Sequence, residues 1–361
     1  MVKRPATRAF LLTLLSILSA TCGGGGGSTT PSTPPAGAIV TPTNFRIVLQ
    51  RVLLTNNEVQ VAWNGSGSSY RVSAGSSPNA SDLLTANVTG TSYTWMAPRT
   101  EGVYYVRVAA TQGTATSSAL ELPVFTIDLR NVIDALFFGS GPMSDSPGSR
   151  SQTTPAAIWQ DGARLAVRVS AESGDTARAN AQTFVGEYEG LGGGISAGVE
   201  VTPDDMKSLT NPSQLPLLTI AIRVLAGWCG GAGVIACANI GPAPVGINRS
   251  IVTMAGSGGG LSIAHELGHA YGMRHVHVNS SVRQELNFMM NPALVSAQMT
   301  EPEKNAIRAA REGGLRPGMS RQAAQDAGLV LPFASLEAST TLGYSSMVNR
   351  APSRCTILDD R

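Results

Sequence analysis

Apolar and polar residues alternate in short runs through residues 42–125. The clearest runs are EVQVAW at 58–63, SYRVSAG at 69–75 and VYYVRVAAT at 103–111, and turns rich in Gly, Ser, Asn and Pro separate them. Strands of this length at this spacing predict an all-β sandwich. We expect its core to contain the large aromatic residues of these runs, Trp63, Tyr70, Tyr104 and Tyr105.

The pattern becomes a mixture of strands and helices from about residue 126. The segments RLAVRVSA at 164–171, LLTIAIRVLAG at 217–227 and RSIVTMAG at 249–256 predict strands. Residues 175–190 have the period of an amphipathic helix, and its apolar face consists of Ala181, Phe184, Val185 and Tyr188. These elements predict a domain of mixed α and β structure after the sandwich, and we expect it to be of the α+β class.

Two further helices are predicted in this second domain. One is LSIAHELGHAYG at 261–272, which follows the glycine-rich turn GSGGG. The other begins at Thr300, where Thr300 and Glu303 have the spacing of a capping box and a glycine pair ends the helix. The chain therefore divides into a sandwich at 42–125, an α+β domain at 126–318 and a C-terminal extension at 319–361. The sandwich resembles a fibronectin type III domain, because GVYYVRVAA at 102–110 is similar to a late tyrosine-bearing strand of that family, and we expect it to act as a spacer.

Residues 1–22 are typical of an export signal. Basic residues precede an apolar run at 9–20, and twelve helical residues rise only about 18 Å, less than a bilayer core of roughly 30 Å. The run closes in the sequence LSATC at 18–22, and five glycines follow Cys22. This resembles a bacterial lipoprotein signal and implies lipidation of Cys22; an ordinary cleaved signal is the alternative. We expect an exported protein, anchored in the bacterial cell envelope (outer membrane or surface) or else secreted, with 23–41 as a flexible Gly/Ser/Thr/Pro linker.

The charge of the chain limits the class of partner that it can bind, and its cysteines offer several disulfide pairings. The formal net charge is +2 and charged residues are 14% of the chain, so no nucleic-acid partner is expected. In an oxidising compartment Cys229 and Cys237 can close a small loop, although Cys355 could pair with either of them, or all three could be free thiols. None of them has the CxxC spacing of a structural zinc site.

The segment HELGHAYGMRH at 265–275 contains the residues that can perform chemistry. On a helix, His265 and His269 project to the same side and can share one metal ion. Gly272 can end the helix in a left-handed conformation, which lets His275 approach as a third ligand. Three protein ligands leave a position open for water, and Glu266 is placed to act as its general base.

This segment resembles the HExxHxxGxxH motif of the metzincin zinc endopeptidases. The resemblance implies one catalytic zinc ion, Zn2+, and a methionine turn beneath it, for which Met290 in LNFMMNP at 286–292 is the best match and Met289 the second. It covers roughly residues 126–315 and is nearest to the matrixins because of the sequence MNP. His277 follows His275 by two residues on an extended segment, so we expect it to point away from the metal.

The leading hypothesis is therefore an exported zinc metalloendopeptidase that hydrolyses protein or peptide substrates, which lie extended along an edge strand. Water activated at the zinc attacks the peptide bond, with Glu266 as general base. The alternative is a catalytically inactive, surface-anchored binding protein with a metalloprotease-like domain.

Overall fold

The structure, a computed structural model, describes residues 39–140, 143–144, 152–192, 195–229, 235–242, 246–256, 260–277, 285–291, 296, 298–332 and 355–359. The export signal, Cys22 and most of the linker lie outside the described residues. In the part that is described, no helix combines the length and apolar character needed to cross a membrane.

The first region is a β-sandwich, as predicted. One sheet has the strand order β1-β2-β5; the other has the order β4-β3-β6-β7, with β8 also paired to β6, and all pairs are antiparallel. The eight strands are Thr43–Val52 (β1), Asn57–Asn64 (β2), Ser69–Gly75 (β3), Leu84–Val88 (β4), Ser92–Ala97 (β5), Gly102–Gln112 (β6), Ala115–Thr116 (β7) and Leu120–Thr126 (β8).

Aromatic residues fill the sandwich core, with one exception to the expectation. Trp63 and Tyr70 are buried and meet edge to face, with ring centroids 5.3 Å apart. Tyr104 is half-buried and packs at the margin of this core against Trp95. The expectation that Tyr105 also packs there is wrong, since Tyr105 does not belong to this core. Side chains alternate along a strand, so Tyr105 faces away from the side on which Tyr104 lies.

A mixed six-stranded sheet organises the second region. Its order is β10-β9-β11-β13-β12-β14; β9, β10, β11 and β13 are parallel, and β12 runs antiparallel to β13 and parallel to β14. Strands β11 and β13 are largely buried, which is typical of parallel strands covered on both faces. The strands are Arg164–Ser170 (β9), Ser196–Thr202 (β10), Thr219–Val224 (β11), Ala236–Pro242 (β12), Ile247–Met254 (β13) and Cys355–Asp359 (β14).

This sheet is accompanied by α-helices at Leu129–Phe138 (α1), Gly174–Gly190 (α2), Gly260–Ala270 (α3), Glu301–Glu312 (α4) and Arg321–Asp326 (α5). Short 3-10 turns lie at Ala171–Ser173 and Pro212–Gln214. Helix α2 buries the apolar face predicted for it, together with Ala177. Helix α4 begins after Thr300, whose backbone N–H donates to the Glu303 carboxylate at 2.8 Å, as the capping-box sequence predicts.

The sandwich is more than a detached spacer. Val52 of β1 and Ile127, just after β8, are buried in the core of the second region, and residues 39–361 form one compact unit. The Asn57 side-chain amide donates to the Ile127 carbonyl at 3.2 Å and fixes the connection. Helix α1, which follows directly, packs against α4, and α4 also contacts β1.

Part of the expected C-terminal extension is integral to the second region. Pro155 bridges Ser320, and the Ala156 N–H donates to the Met319 carbonyl at 2.9 Å. Arg321 and Asp134 form a buried ion pair with bonds of 2.6 and 3.0 Å. Residues 319–332 therefore belong to the body of the protein.

Candidate metal centre

Helix α3 carries the first half of the motif. Its apolar residues Ile263, Ala264 and Leu267 are buried in the main core, where the helix packs against β12 and β13. His265 and His269 are one helical turn apart and lie on a common face. The helix is held by burial of its apolar side, and this fixes the direction in which both imidazoles project.

A tight reversal after α3 depends on Gly272. This residue has φ +93°, and a Cβ atom there would collide with the carbonyl oxygen of Ala157. The Met273 N–H donates back to the Gly268 carbonyl at 2.9 Å, and the Trp159 indole N–H donates to the Ala270 carbonyl at 2.8 Å. Both bonds supply donors to backbone carbonyls that lack a hydrogen-bond partner within the helix at its C-terminal end. The chain can thus return towards α3 only because position 272 has no side chain.

The reversal brings His275 to the two helical histidines. One ligand nitrogen from each of the three lies within 4.8 Å of the others, and His269 Nε2 and His275 Nε2 are 3.1 Å apart. His265 and His269 are fully buried, and His275 is 6% exposed. No other group of His, Cys, Asp or Glu in the described part of the chain has this arrangement.

Backbone carbonyls select the tautomer of both helical histidines. His265 Nδ1 lies 2.8 Å from the Met289 carbonyl, and His269 Nδ1 lies 2.7 Å from the Met273 carbonyl. A carbonyl oxygen only accepts, so each Nδ1 carries the proton and donates it. With the proton on Nδ1, Nε2 is the nitrogen of each ring that can offer a lone pair to a metal ion, as in metal-binding histidines.

This donor set fits zinc. Zinc–imidazole bonds of 2.0–2.1 Å in a tetrahedron place the ligand nitrogens about 3.4 Å apart, close to the spacing of His269 and His275. Three nitrogen donors suit zinc or another transition metal, whereas calcium and magnesium need oxygen. A divalent cation would also accept these ring-nitrogen lone pairs and so offset the repulsion between them.

Glu266 lies beside these ligands. It is fully buried on α3, and it directly follows His265. With about 100° of rotation per residue, it stands about 60° around the helix axis from His269. A carboxylate at this flank is placed to exchange protons with a water molecule held at the cluster.

Two methionines lie under the cluster. Met289 and Met290 are both fully buried, and a Cβ atom on Gly268 would collide with Met290 Sδ. The Met290 carbonyl accepts from the N–H of Val276 at 2.9 Å. Met290 thus packs on α3 at Gly268, and its backbone supports the segment of His275.

Glu303 connects these methionines to α4, a role that its capping-box position does not reveal. Its carboxylate accepts from the N–H groups of Met289 and Met290 at 3.0 and 2.8 Å, and from the N–H and hydroxyl of Thr300 at 2.8 and 2.9 Å. Burial raises the pKa of Glu303, while these four donors oppose the rise. The N–H of Met289 faces Glu303 and its carbonyl faces His265, so the position of that ring depends on α4.

An aromatic cluster supports the opposite side of the motif. Tyr271 packs against Tyr188 and Phe184 of α2, with ring centroids 4.6 and 5.2 Å apart. Burial raises the pKa of the Tyr271 hydroxyl, so the ring stays neutral. The Tyr188 hydroxyl also accepts a hydrogen bond from the guanidinium of Arg311 in α4 at 3.4 Å. Helices α2, α3 and α4 are thereby linked around the centre.

The remaining candidate residues are placed as follows. His277 is half-buried and outside the three-histidine group, and its N–H donates to the Met143 carbonyl at 2.7 Å. Cys229 and Cys237 form a disulfide with Cα atoms 5.7 Å apart, which ties the turn after β11 to β12. Cys355 begins β14, opposite Ala236 in the ladder. Cys22 lies outside the described residues.

No family model and no curated protein matches this chain. Among solved structures, it is similar to a β-sandwich protein from a computer-based redesign, with 20% identity over 25% of this chain and 92% of that chain at a TM-score of 0.22. It is also similar to the fn3 domain of the human collagen alpha-1(XX) chain, with 19% identity over 28% of this chain and 93% of that chain at a TM-score of 0.21. The description of residues 43–126 as a β-sandwich rests on the two sheets themselves.

Proposed function

We propose that this chain is a zinc-dependent endopeptidase of the metzincin kind. One observation carries the proposal: three buried imidazoles, from α3 and the reversal after it, bring their nitrogens within 4.8 Å of one another, and the buried Glu266 directly follows the first of these histidines on α3. The HExxHxxGxxH sequence supports the same assignment of His265, His269 and His275 as ligands. The cellular location stays a prediction of the sequence, because residues 1–38 are not described.

His265, His269 and His275 would hold the zinc ion, which when bound would supply a Lewis acid for the scissile carbonyl and would lower the pKa of a bound water to about 7. The protein supplies the proton transfers and the positioning. Glu266 accepts the proton of the attacking water and then donates it to the leaving amine. The Met289 and Met273 carbonyls hold the proton of His265 and His269 on Nδ1 and keep both rings oriented throughout.

The test is a comparison of Glu266→Gln with the wild-type chain on unfolded casein. We expect hydrolysis to fall by about 10²–10⁴-fold, because an amide cannot accept the proton. The zinc content should stay unchanged, since the three ligands are intact. The control is Glu301→Gln, on the exposed first turn of α4 with 66% of its side chain accessible, which should hydrolyse casein at the wild-type rate.

A chelator should abolish the wild-type activity, and added zinc should restore it. If Glu266→Gln hydrolyses casein at the wild-type rate, Glu266 is not the general base of the reaction. A zinc-loaded wild-type chain that cleaves nothing in a proteome-derived peptide library would instead support the inactive binding protein.

A further inference from the structure

The second region's sheet has two edges, and only one is near the candidate metal centre. Apart from β14, the outer strands are β10 and β12. Strand β10 packs against α2, whereas β12 packs against α3, the helix of His265 and His269. Ala236 and Ala238 of β12 are buried in the same core as Leu267 of α3. An extended peptide that reaches the histidines by strand addition would therefore pair with β12.

This edge of β12 is covered by the chain itself. Strand β14 pairs parallel to β12 over five positions, from Ala236–Cys355 to Ile240–Asp359. Backbone N–H and C=O groups that would form a ladder with a peptide form one with residues 355–359 instead. Strand β14 has no second neighbour in the described sheet, so one short ladder holds it there.

We propose that β14 is an intramolecular ligand of the outer edge of β12 and competes there with an extended peptide substrate. The proposal rests on the proposed endopeptidase function for its effect on catalysis, but not for the binding itself. The Cys229–Cys237 disulfide anchors β12 independently of β14. The edge can therefore stay in place when β14 leaves and an extended peptide takes its position.

Covalent attachment sets the strength of the competition. A tethered strand acts at an effective concentration on the order of millimolar, so a free peptide must displace it. The effect is competitive: removing β14 should lower KM for a peptide substrate and leave kcat unchanged. We expect about a tenfold fall in KM, because the edge is then always available.

The kinetic test compares two truncated chains with the full chain, each loaded with zinc. A chain ending at Arg354 lacks β14, and a matched control ending at Asp359 keeps it. The first should show the lower KM at the same kcat, and the second should behave like the full chain. The full-length double variant Thr356→Pro, Ile357→Pro should resemble the shorter chain, because one of two consecutive residues in a parallel ladder donates its N–H to the partner.

A binding measurement without metal separates this proposal from the enzymatic one. The probe is a fluorescent peptide of residues 352–361 carrying Cys355→Ser, titrated by anisotropy. It should bind the metal-free chain ending at Arg354 at least tenfold more tightly than the chain ending at Asp359. Equal KM values or equal peptide affinities in the two truncated chains would overturn the proposal. Tighter peptide binding in a zinc-loaded chain that hydrolyses nothing would overturn the endopeptidase and keep the binding edge.

Discussion

The two regions of this protein differ most in what they bury. In the sandwich, the interior is made of residues such as Val59, Val72 and Trp63, and the polar groups buried beside them are neutral, Asn57 and Ser73 among them. In the second region, ionisable side chains are buried throughout. They include Asp134, Arg223, His265, Glu266, His269, Glu303 and Arg321.

Buried ionisable groups cost free energy unless something compensates them, and the second region shows several kinds of compensation. Asp134 and Arg321 neutralise each other. Arg223 donates to backbone carbonyls and to the Thr253 hydroxyl, and its guanidinium lies 4.7 Å from the Trp228 ring centroid. In the histidine cluster, a bound cation would accept the lone pairs of the ring nitrogens and so compensate their burial. The polar groups named in the sandwich interior are therefore uncharged, whereas the ionisable groups buried in the second region need compensating partners.

Gly272→Ala should give the largest change in the second region. A non-glycine residue at φ +93° costs about 1–3 kcal/mol in backbone strain. The contact of its Cβ with the Ala157 carbonyl should add roughly 1–3 kcal/mol. Relief of this clash moves His275, so zinc affinity should fall by about tenfold or more. Urea unfolding and a competitive zinc titration measure the two effects.

The matched control for this variant is Gly162→Ala. Gly162 also has a positive φ, +77°, but its surroundings are open. Gly162→Ala should be destabilised only by the backbone strain, and its zinc affinity should equal that of the wild type. Equal losses of zinc affinity in both variants would show that the reversal after α3 is not what places His275.

The sequence predicts those features that depend on neighbours along the chain. The two histidines on one helical face, the glycine after them and the capping box at Thr300 all follow from local spacing. The burial of Ala181 and Phe184 follows from helical period. Spacing also made the Cys229–Cys237 bridge a favoured pairing, because only seven residues lie between the two cysteines.

Features that depend on distant parts of the chain could not be predicted in this way. The second role of Glu303 needs the methionine turn to lie against α4, and the bond from Trp159 to α3 joins residues far apart in sequence. The place of β14 beside β12 is a further example. The pattern of residues along the chain indicates which side chains are buried. It does not indicate which distant residues they contact.

Glu303→Gln should have an intermediate effect. The amide keeps the size of the side chain but turns one acceptor into a donor that faces N–H groups, which costs about 1–3 kcal/mol. Displacement of Met289 disturbs its bond to His265, so zinc affinity should fall by roughly tenfold. The control is Glu312→Gln at the exposed end of α4. If zinc affinity is unchanged in Glu303→Gln, the contact with α4 serves stability alone.

Tyr70→Phe should have the smallest effect and tests the sandwich side of the comparison. The Tyr70 hydroxyl is buried without a hydrogen-bond partner among the described residues. Its removal should therefore change the free energy of unfolding by only about 0–1 kcal/mol, in the stabilising direction. Tyr188→Phe, which removes a contact with Arg311, should not stabilise the protein. A large loss of stability in Tyr70→Phe would show that the sandwich interior also depends on polar bonds.

The most direct measurement is the zinc content of the full chain after equilibrium dialysis, compared with His269→Ala and His277→Ala. We expect one zinc ion per chain in the wild type and in His277→Ala, because His277 is outside the cluster. We expect His269→Ala to lose that ion, because the substitution removes one of three ligands. A wild-type chain that retains no zinc, or a His269→Ala chain that retains it fully, would contradict the assignment of this cluster as a metal centre.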